Sequence, residues 1–182
     1  SGILATSGAN LLSVSGTATT AISGGSSTSF INGPVRWTLP SSLGSGSTYN
    51  YPVGKGSTYL PFSLVNPTTG AGAVTAQAEA FTASTGGTFD ATLTSLSTSE
   101  YWSLGTAGIF TNSSVSVTRQ TAIAPLDAIG GSATQAGQYV SLAGTAGANG
   151  VTGSNAIVAN RFFVLAQKAA AATTYTSVAP GG

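Results

Sequence analysis

The sequence predicts an all-β protein: an antiparallel, immunoglobulin-like (Ig-like) β-sandwich that follows a short N-terminal segment of solenoid-like or hairpin strands. Two observations favour strands. Segments of alternating apolar and polar residues recur at roughly 8 to 12 residue intervals, and Gly and Asn turns separate them. A third observation argues against helices, because the only segment of helical composition, Ala166 to Thr174, lacks an apolar stripe at helical spacing. We assign residues 1–40 to the N-terminal segment and residues 41–182 to the β-sandwich.

The N-terminal segment consists of very short apolar pieces between small residues. These pieces are Ile3-Leu4, Leu11-Leu12 with Val14, Ile22, and Phe30-Ile31. This texture is typical of short stacked strands, either the last coils of a β-solenoid or a β-hairpin that leads into the sandwich. Both alternatives stay open, since Gly-rich strands specify their register weakly.

Two turn-forming motifs follow the N-terminal segment. Asn32-Gly33-Pro34 has turn chemistry, because Gly supplies unusual backbone angles and Pro cannot continue a hydrogen-bond ladder. We expect it to mark the corner where the N-terminal segment meets the sandwich. Residues 51–56, YPVGKG, are interpreted as the end of a strand and a loop.

Four later segments carry the alternating pattern that defines the sandwich strands. In Ala73 to Phe81, the residues predicted to share one face are Val74, Ala76, Ala78 and Ala80. In Ser114 to Arg119, Val115 and Val117 are predicted to point inward, and in Gln138 to Gly144, Tyr139 and Ser141 are predicted to lie opposite Val140 and Leu142. The fourth segment, Asn155 to Gln167, is predicted to form one or two buried strands.

Composition excludes several classes of function. Only 5% of the residues are charged and the net charge is +1, so the chain lacks the basic stripe that binding to nucleic acid requires. No apolar run approaches about 18 residues, which argues against membrane insertion. Cys, Met and His are all absent, which excludes disulfides, zinc sites, thiol nucleophiles and His-based triads. We therefore predict no cofactor and no metal.

A polar surface made of hydroxyl groups rather than ions is typical of extracellular structural proteins. The low charge and the 41% apolar content together favour a folded, exported chain. Ser1 is not an initiator residue and no signal peptide follows it. We expect the chain to be a mature product or a piece of a longer protein.

Candidate catalytic residues are few. The only carboxylates are Glu79, Asp90, Glu100 and Asp127, and a glycosidase would have to draw both its acid and its base from these four. No acidic loop or D-x-D spacing predicts a calcium site. We interpret all four as structural and predict no catalytic residues.

Lys55, in the run PVGKGST, superficially resembles a phosphate loop. The pattern fails because Gly56 follows the Lys and strand-like residues come next, whereas a Walker loop opens a helix. We interpret Lys55 as a solvated turn residue. With no His, only Lys55 or Lys168 could activate a Ser, and no S-x-x-K spacing supports such a dyad.

Other side chains have both a binding and a structural interpretation. Asn112 begins an N-x-S acceptor pattern for glycosylation. The aromatic side chains could form a carbohydrate platform, but strand patterns surround them. Core packing is therefore favoured, with Trp102 at the centre and Tyr101 or Trp37 partly exposed. Arg36 and Arg119 are candidate partners of Glu100 or Asp90. For ice binding, which would need a flat and regular Thr array, Thr17, Thr19 and Thr20 have no sustained period.

Four motifs, in this order, resemble a β-rich repeat module of very large Bacteroidota cell-surface proteins. They are FINGPVR at Phe30 to Arg36, YPVG at Tyr51 to Gly54, YLPFSLVN at Tyr59 to Asn66, and EYW at Glu100 to Trp102. The resemblance covers about Ser23 to Arg119. It implies a repeat of a long, type IX-secreted adhesin, a class that includes the filamentous adhesins used in gliding.

The residues and the resemblance together predict a non-enzymatic extracellular module that acts structurally or in adhesion. Its predicted partners are neighbouring copies of the same module, in tandem or head to tail, with surface glycans as a further class. One alternative is a fibre subunit assembled by strand donation, for which Ile3 to Gly16 is the candidate donor strand. Another is a carbohydrate- or ice-binding β-domain.

Overall fold

The structure, a computed structural model, describes residues 2–157 and 161–170. Within these ranges it contains β-strands and no helix, so the all-β prediction is confirmed. The strands are β1 Ile3–Ala5, β2 Leu12–Val14, β3 Phe30–Asn32, β4 Val35–Leu39, β5 Thr48–Tyr51, β6 Val53–Lys55, β7 Thr58–Tyr59, β8 Phe62–Thr69, β9 Val74–Phe81, β10 Thr88–Phe89, β11 Leu93–Leu96, β12 Tyr101–Ala107, β13 Phe110–Thr118, β14 Ala128–Ser132, β15 Gln138–Ser141, β16 Thr145–Ala146, β17 Gly150–Thr152 and β18 Phe162–Lys168.

The strands form three sheets of mixed and antiparallel pairing. The largest, with nine strands, has the order β10-β15-β14-β18-β12-β9-β4-β2, and β11 pairs with β18 beside this path. A five-stranded sheet has the order β16-β17-β13-β8-β5. A four-stranded sheet has the order β1-β3-β6-β7. No helix in the described part of the chain is long and apolar enough to cross a membrane.

The main hydrophobic core draws on both of the larger sheets. From the nine-stranded sheet it takes the even-numbered residues of β9, which are fully buried, as the alternation in Ala73 to Phe81 predicts. From the five-stranded sheet it takes Val115 and Val117 of β13, also as predicted. Because a strand turns alternate side chains to opposite faces, the polar residues between them reach the surface.

Aromatic side chains fill the centre of this core. Trp37 packs edge-on against Tyr49 and Tyr51, with ring centroids 5.1 and 5.5 Å away. Its indole N–H donates to the Gly16 carbonyl at 2.8 Å, and the Trp102 indole donates to the Leu60 carbonyl at 2.9 Å. Both tryptophans are therefore buried without an unsatisfied donor.

The exposure predicted for Tyr101 or Trp37 is wrong. Trp37 is completely buried, and Tyr101 is only 5% exposed. Tyr101 lies in a second, smaller core on the other face of the nine-stranded sheet, together with Leu93, Tyr139 and Val164. Trp102 is at the centre of the main core, which confirms the prediction for that residue.

The strands β14 and β18 are buried on both faces because a core lies on each side of them. All five residues of β14 are buried. Strand β18 begins in the predicted buried segment Asn155 to Gln167 and ends one residue beyond it, at Lys168; residues 158–160 of that segment are outside the described residues. Within Gln138 to Gly144, Tyr139 is buried and Val140 is exposed, while Leu142, predicted on the same face as Val140, is buried in the main core.

The N-terminal strands pair in parallel with later strands. β1 lies beside β3, with Ile3 opposite Phe30, and β2 lies beside β4, with Leu12 opposite Val35. β3 in turn lies parallel to β6. β1 and β2 do not pair with one another as a hairpin would require. The division at residue 40 stays a prediction.

The turn at Asn32-Gly33-Pro34 connects two sheets. β3, before it, belongs to the four-stranded sheet, and β4, after it, belongs to the nine-stranded sheet. Gly33 has a φ of 127°, and a Cβ atom there would lie 2.3 Å from the Thr6 carbonyl oxygen. Thr6 also donates its hydroxyl to the Pro34 carbonyl at 2.8 Å. The turn thus depends on glycine at this position.

Candidate functional site

A cavity of about 640 Å³ opens beside the end of β13 and the start of β12. Hydroxyl side chains line its wall, from Thr58, Thr82, Ser99 and Thr121. Glu100 and Arg119 also line it, and they form an ion pair with 3.4 Å between Oε1 and Nη1. The predicted pairing of Arg119 with Glu100 is therefore confirmed.

The Glu100–Arg119 pair is largely withdrawn from solvent. The side chain of Glu100 is 5% exposed and that of Arg119 is 18% exposed. Glu100 Oε1 also accepts a hydrogen bond from the Ser97 hydroxyl at 2.8 Å. Arg119 donates to the carbonyls of Thr121 and Ala122, so its guanidinium fastens the chain just after β13. These contacts give the Glu100–Arg119 pair a structural role at the mouth of the cavity.

The chemistry of this cavity does not match a glycosidase. Hydrolysis of a glycosidic bond uses two carboxylates across the scissile bond. Among the described residues that line the cavity, Glu100 is the single carboxylate, and the lining includes no aromatic ring. The arrangement can hold hydroxyl-bearing molecules or water, but it lacks an acid and base pair.

Lys55 forms a second charged cluster. β6 ends at Lys55, Gly56 makes the turn with a φ of 61°, and β7 follows as an antiparallel partner. The strand–turn–strand geometry agrees with the rejection of a phosphate loop. Lys55 Nζ lies 3.4 Å from Glu79 Oε1 and 5.4 Å from the centroid of the Phe81 ring. The Lys55 side chain lies at the turn and is 42% exposed, in agreement with the predicted solvated turn residue, and its ammonium is in addition paired with Glu79 and rests on an aromatic ring.

An aromatic stack connects this cluster to the smaller core. Phe81 and Tyr101 are cross-strand neighbours whose rings stack with 4.5 Å between centroids and 9° between planes. Burial raises the pKa of Tyr101, and the nearby charge of Glu79 raises it further. Because Tyr101 is buried, the stack consolidates the sheet and does not offer a flat ring to a sugar.

The remaining acidic residues also have structural partners. Asp90 Oδ1 accepts from the backbone amide of Thr92 at 2.9 Å, which closes a local turn. Asp127 Oδ1 accepts from the Lys168 amide at 2.8 Å, and its Oδ2 lies 3.6 Å from Lys168 Nζ. In the described ranges no three acidic side chains form a group that could hold a metal ion.

The other candidates do not line the cavity beside Glu100. Arg36 donates to the Gln77 side chain at 3.1 Å, so the predicted pairing of Arg36 with Glu100 or Asp90 is wrong. Asn112 is exposed on β13, between two shifts in the register with β8. Thr17, Thr19 and Thr20 lie in the connection between β2 and β3, outside any strand.

Sequence reasoning did not find the exposed apolar residues at the sheet ends. Ile3 and Leu4 lie on β1, Phe89 on β10 and Val140 on β15, and all four are exposed. The pattern that could have revealed them is the lack of charge in β1, β2 and β10, which are edge strands.

Comparisons with known proteins give no relative: no family model, curated protein or solved structure matches this chain.

Proposed function

We propose that the chain is a non-enzymatic, extracellular structural or adhesive module, a repeat of a long surface adhesin or stalk of the Bacteroidota type that its motifs resemble. The observation that carries the proposal is that the acidic side chains form structural contacts. Glu79 and Glu100 are held in ion pairs, and Asp90 and Asp127 cap backbone amides. Among the described residues, no two carboxylates are left free to act together as an acid and base pair.

The finer architecture that we propose is an antiparallel, Ig-like β-sandwich preceded by a short solenoid-like segment. In support, the nine-stranded and five-stranded sheets contribute to one core. The parallel pairs β1–β3, β2–β4 and β3–β6 support stacked coils rather than a hairpin at the N-terminal end. Such a module transmits load through backbone ladders and its core, without ligands.

Two alternatives receive less support. For a fibre built by strand donation, the candidate donor Ile3 to Gly16 is already paired within its own chain, through β1 and β2. For a carbohydrate platform, Trp37 and Tyr101 are buried. Glycans remain a candidate class of partner, because the wall of the cavity beside Glu100 is rich in hydroxyl groups.

The proposal is tested by locating the chain on intact cells of the organism that makes it. We expect antibodies to the chain to label unbroken cells, and we expect external protease to remove the label. Labelling that requires cell lysis would contradict the extracellular assignment. A hydrolase activity that Glu100→Gln abolishes while the fold persists would contradict the non-enzymatic assignment.

A further inference from the structure

Exposed large hydrophobic side chains are concentrated at two places in the described part of the chain. Ile3 and Leu4, on β1, are 46% and 51% exposed. Phe89 on β10 and Val140 on β15 are 42% and 39% exposed. The one other such residue, Ile109, lies in the turn between β12 and β13.

These two places are the opposite ends of the strand stack. β10 is one edge of the nine-stranded sheet, with β15 next to it, and β2 is the other edge. β1 is an edge of the four-stranded sheet at the same end as β2, because β1 and β2 flank the connected strands β3 and β4. Seven strand spacings of about 4.8 Å separate β10 from β2, or roughly 34 Å along the sheet. The two ends therefore cannot meet within one copy.

Each end presents outward-facing backbone amides to which a further strand could pair. The Thr6 amide donates inward to Asn32, so by alternation the amides of Ile3 and Ala5 face the open side of β1. On β10, the amides of Thr88 and Asp90 donate inward to the β15 side, which leaves that of Phe89 facing outward.

Apart from their short length, the edge strands at the two ends lack the features that normally prevent edge pairing. Exposed edge strands are usually protected by charged residues, Pro, bulges or very short length, and of these only short length applies here, because β1 and β2 have three residues each and β10 has two. β1, β2 and β10 contain no charged residue and no Pro, in the runs ILA, LSV and TF. Asp90 follows β10, but its carboxylate turns back to Thr92. An uncharged partner strand with apolar side chains fits each end, and the opposite end of this same chain displays one.

We propose that the β10–β15 end of one copy docks on the β1–β2 end of a second copy. Phe89 and Val140 of the first copy then cover Ile3 and Leu4 of the second, and the outward amides of the edge strands become paired. Because the two contacting surfaces differ, the contact is heterologous and does not close into a dimer. Copies add head to tail along the hydrogen-bonding direction of the sheet. This inference rests on the proposed structural function and names the surface by which copies assemble.

The test uses two variants that each block one end. Leu4→Asp blocks the β1–β2 end and Phe89→Asp blocks the β10–β15 end. For the wild-type chain, light scattering after size exclusion should show a mass that rises with concentration past that of a dimer. Each variant alone should stay monomeric. Their equimolar mixture should form a complex that stops at two chains, about 35 kDa from twice 17.7 kDa.

A matched control keeps the same chemical change away from both ends. Ile109→Asp removes the remaining exposed hydrophobic side chain and should assemble like the wild type. Circular dichroism and thermal melts verify that each variant is folded. If Leu4→Asp or Phe89→Asp misfolds, Ile3→Asp and Val140→Asp replace them at the same two ends.

Three outcomes would overturn the proposal. They are a wild-type chain that stays monomeric at millimolar concentration, a single-end variant that still dimerises by itself, and an equimolar mixture that forms no complex. A monomeric wild-type chain that antibodies still label on intact cells would overturn this contact alone. Label that is found only inside cells would overturn the proposed function instead.

Discussion

Glu100 and Glu79 are chemically identical carboxylates whose surroundings differ. The Glu100 side chain is 5% exposed beside Arg119, whereas the Glu79 side chain is 21% exposed beside Lys55, itself 42% exposed. Removing one partner of a buried pair leaves the other charge without compensation, while exposed pairs contribute little. The two pairs should therefore differ in their effect on stability.

We expect Glu100→Gln to lower the free energy of unfolding by about 2 to 3 kcal/mol. This loss is below that of a fully buried pair because Arg119 keeps its two carbonyl partners and some solvent contact. The matched control Glu79→Gln should lose less than about 1 kcal/mol. Urea denaturation of both variants and the wild type measures the difference. Equal losses would show that burial of the Glu100–Arg119 pair has no energetic consequence.

Buried tyrosines should make the fold sensitive to alkali. Burial raises the pKa of Tyr139 to about 12, and it raises the pKa values of Tyr49, Tyr51 and Tyr59 as well. An unfolded chain ionises its tyrosines near pH 10, so above that pH the folded state holds more protons than the unfolded state. Stability is therefore fully present below about pH 10 and falls as the pH rises towards 12.

The expected result is a free energy of unfolding that decreases steadily above about pH 10, by up to about 1.4 kcal/mol per pH unit for each such tyrosine. Urea denaturation at several pH values measures the slope, and tyrosinate absorbance reports ionisation. In Tyr139→Phe the slope should be shallower, although loss of the hydrogen bond to Gln135 lowers the starting stability. Stability that stays constant up to pH 12 would contradict the raised pKa values.

At the scale of single elements, the turn between β3 and β4 determines how two sheets are connected. Gly33→Ala should lower the free energy of unfolding by more than about 2 kcal/mol, because φ is 127° and the new Cβ would overlap the Thr6 carbonyl. Gly44→Ala is the control, since nothing lies within 4 Å of a Cβ at that position. The control should change stability by less than about 0.5 kcal/mol. Thermal melts compare the two variants, and a neutral Gly33→Ala would show that the turn can relax.

The strands that sequence reasoning found are those with long, regular alternation. β9 alternates over its full length, and its buried face follows directly from the order of its residues. β1 and β2 are only three residues long, and their partners β3 and β4 are more than 20 residues further along the chain. Strands this short, set in a Gly-rich segment, do not specify such distant parallel pairing, so composition could suggest stacked strands without giving their register.

The burial of Trp37 was missed for a related reason. Its indole donor is satisfied by the carbonyl of Gly16, which lies in a loop distant in sequence. A pattern of neighbouring residues holds no information about such a partner. Likewise, the sequence suggested Glu100 as one of two possible carboxylate partners of Arg119, but it did not predict that this pair would be buried.

At the scale of the whole molecule, stability comes from two cores rather than from charge. β14 and β18 have a core on each face, and all the buried side-chain polar atoms of the described residues have hydrogen-bond partners. The whole chain has only nine charged side chains, five basic and four acidic, and most of its polar side chains are hydroxyl and amide groups. Interactions of this kind are short-ranged and do not respond to screening by salt.

We therefore expect sodium chloride to have little effect on either folding or assembly. From about 0.01 to 1 M the Debye length shortens from about 30 Å to about 3 Å, which weakens interactions between exposed charges. With a net charge of +1 and 5% charged residues, the free energy of unfolding should change by less than about 1 kcal/mol. Sodium sulfate is the control, since its exclusion from protein surfaces should raise stability and favour longer head-to-tail assemblies. Urea denaturation and light scattering across both salt series measure the two effects. Assemblies that dissociate in sodium chloride would show that charges, rather than the uncharged strands β1, β2 and β10, hold the copies together.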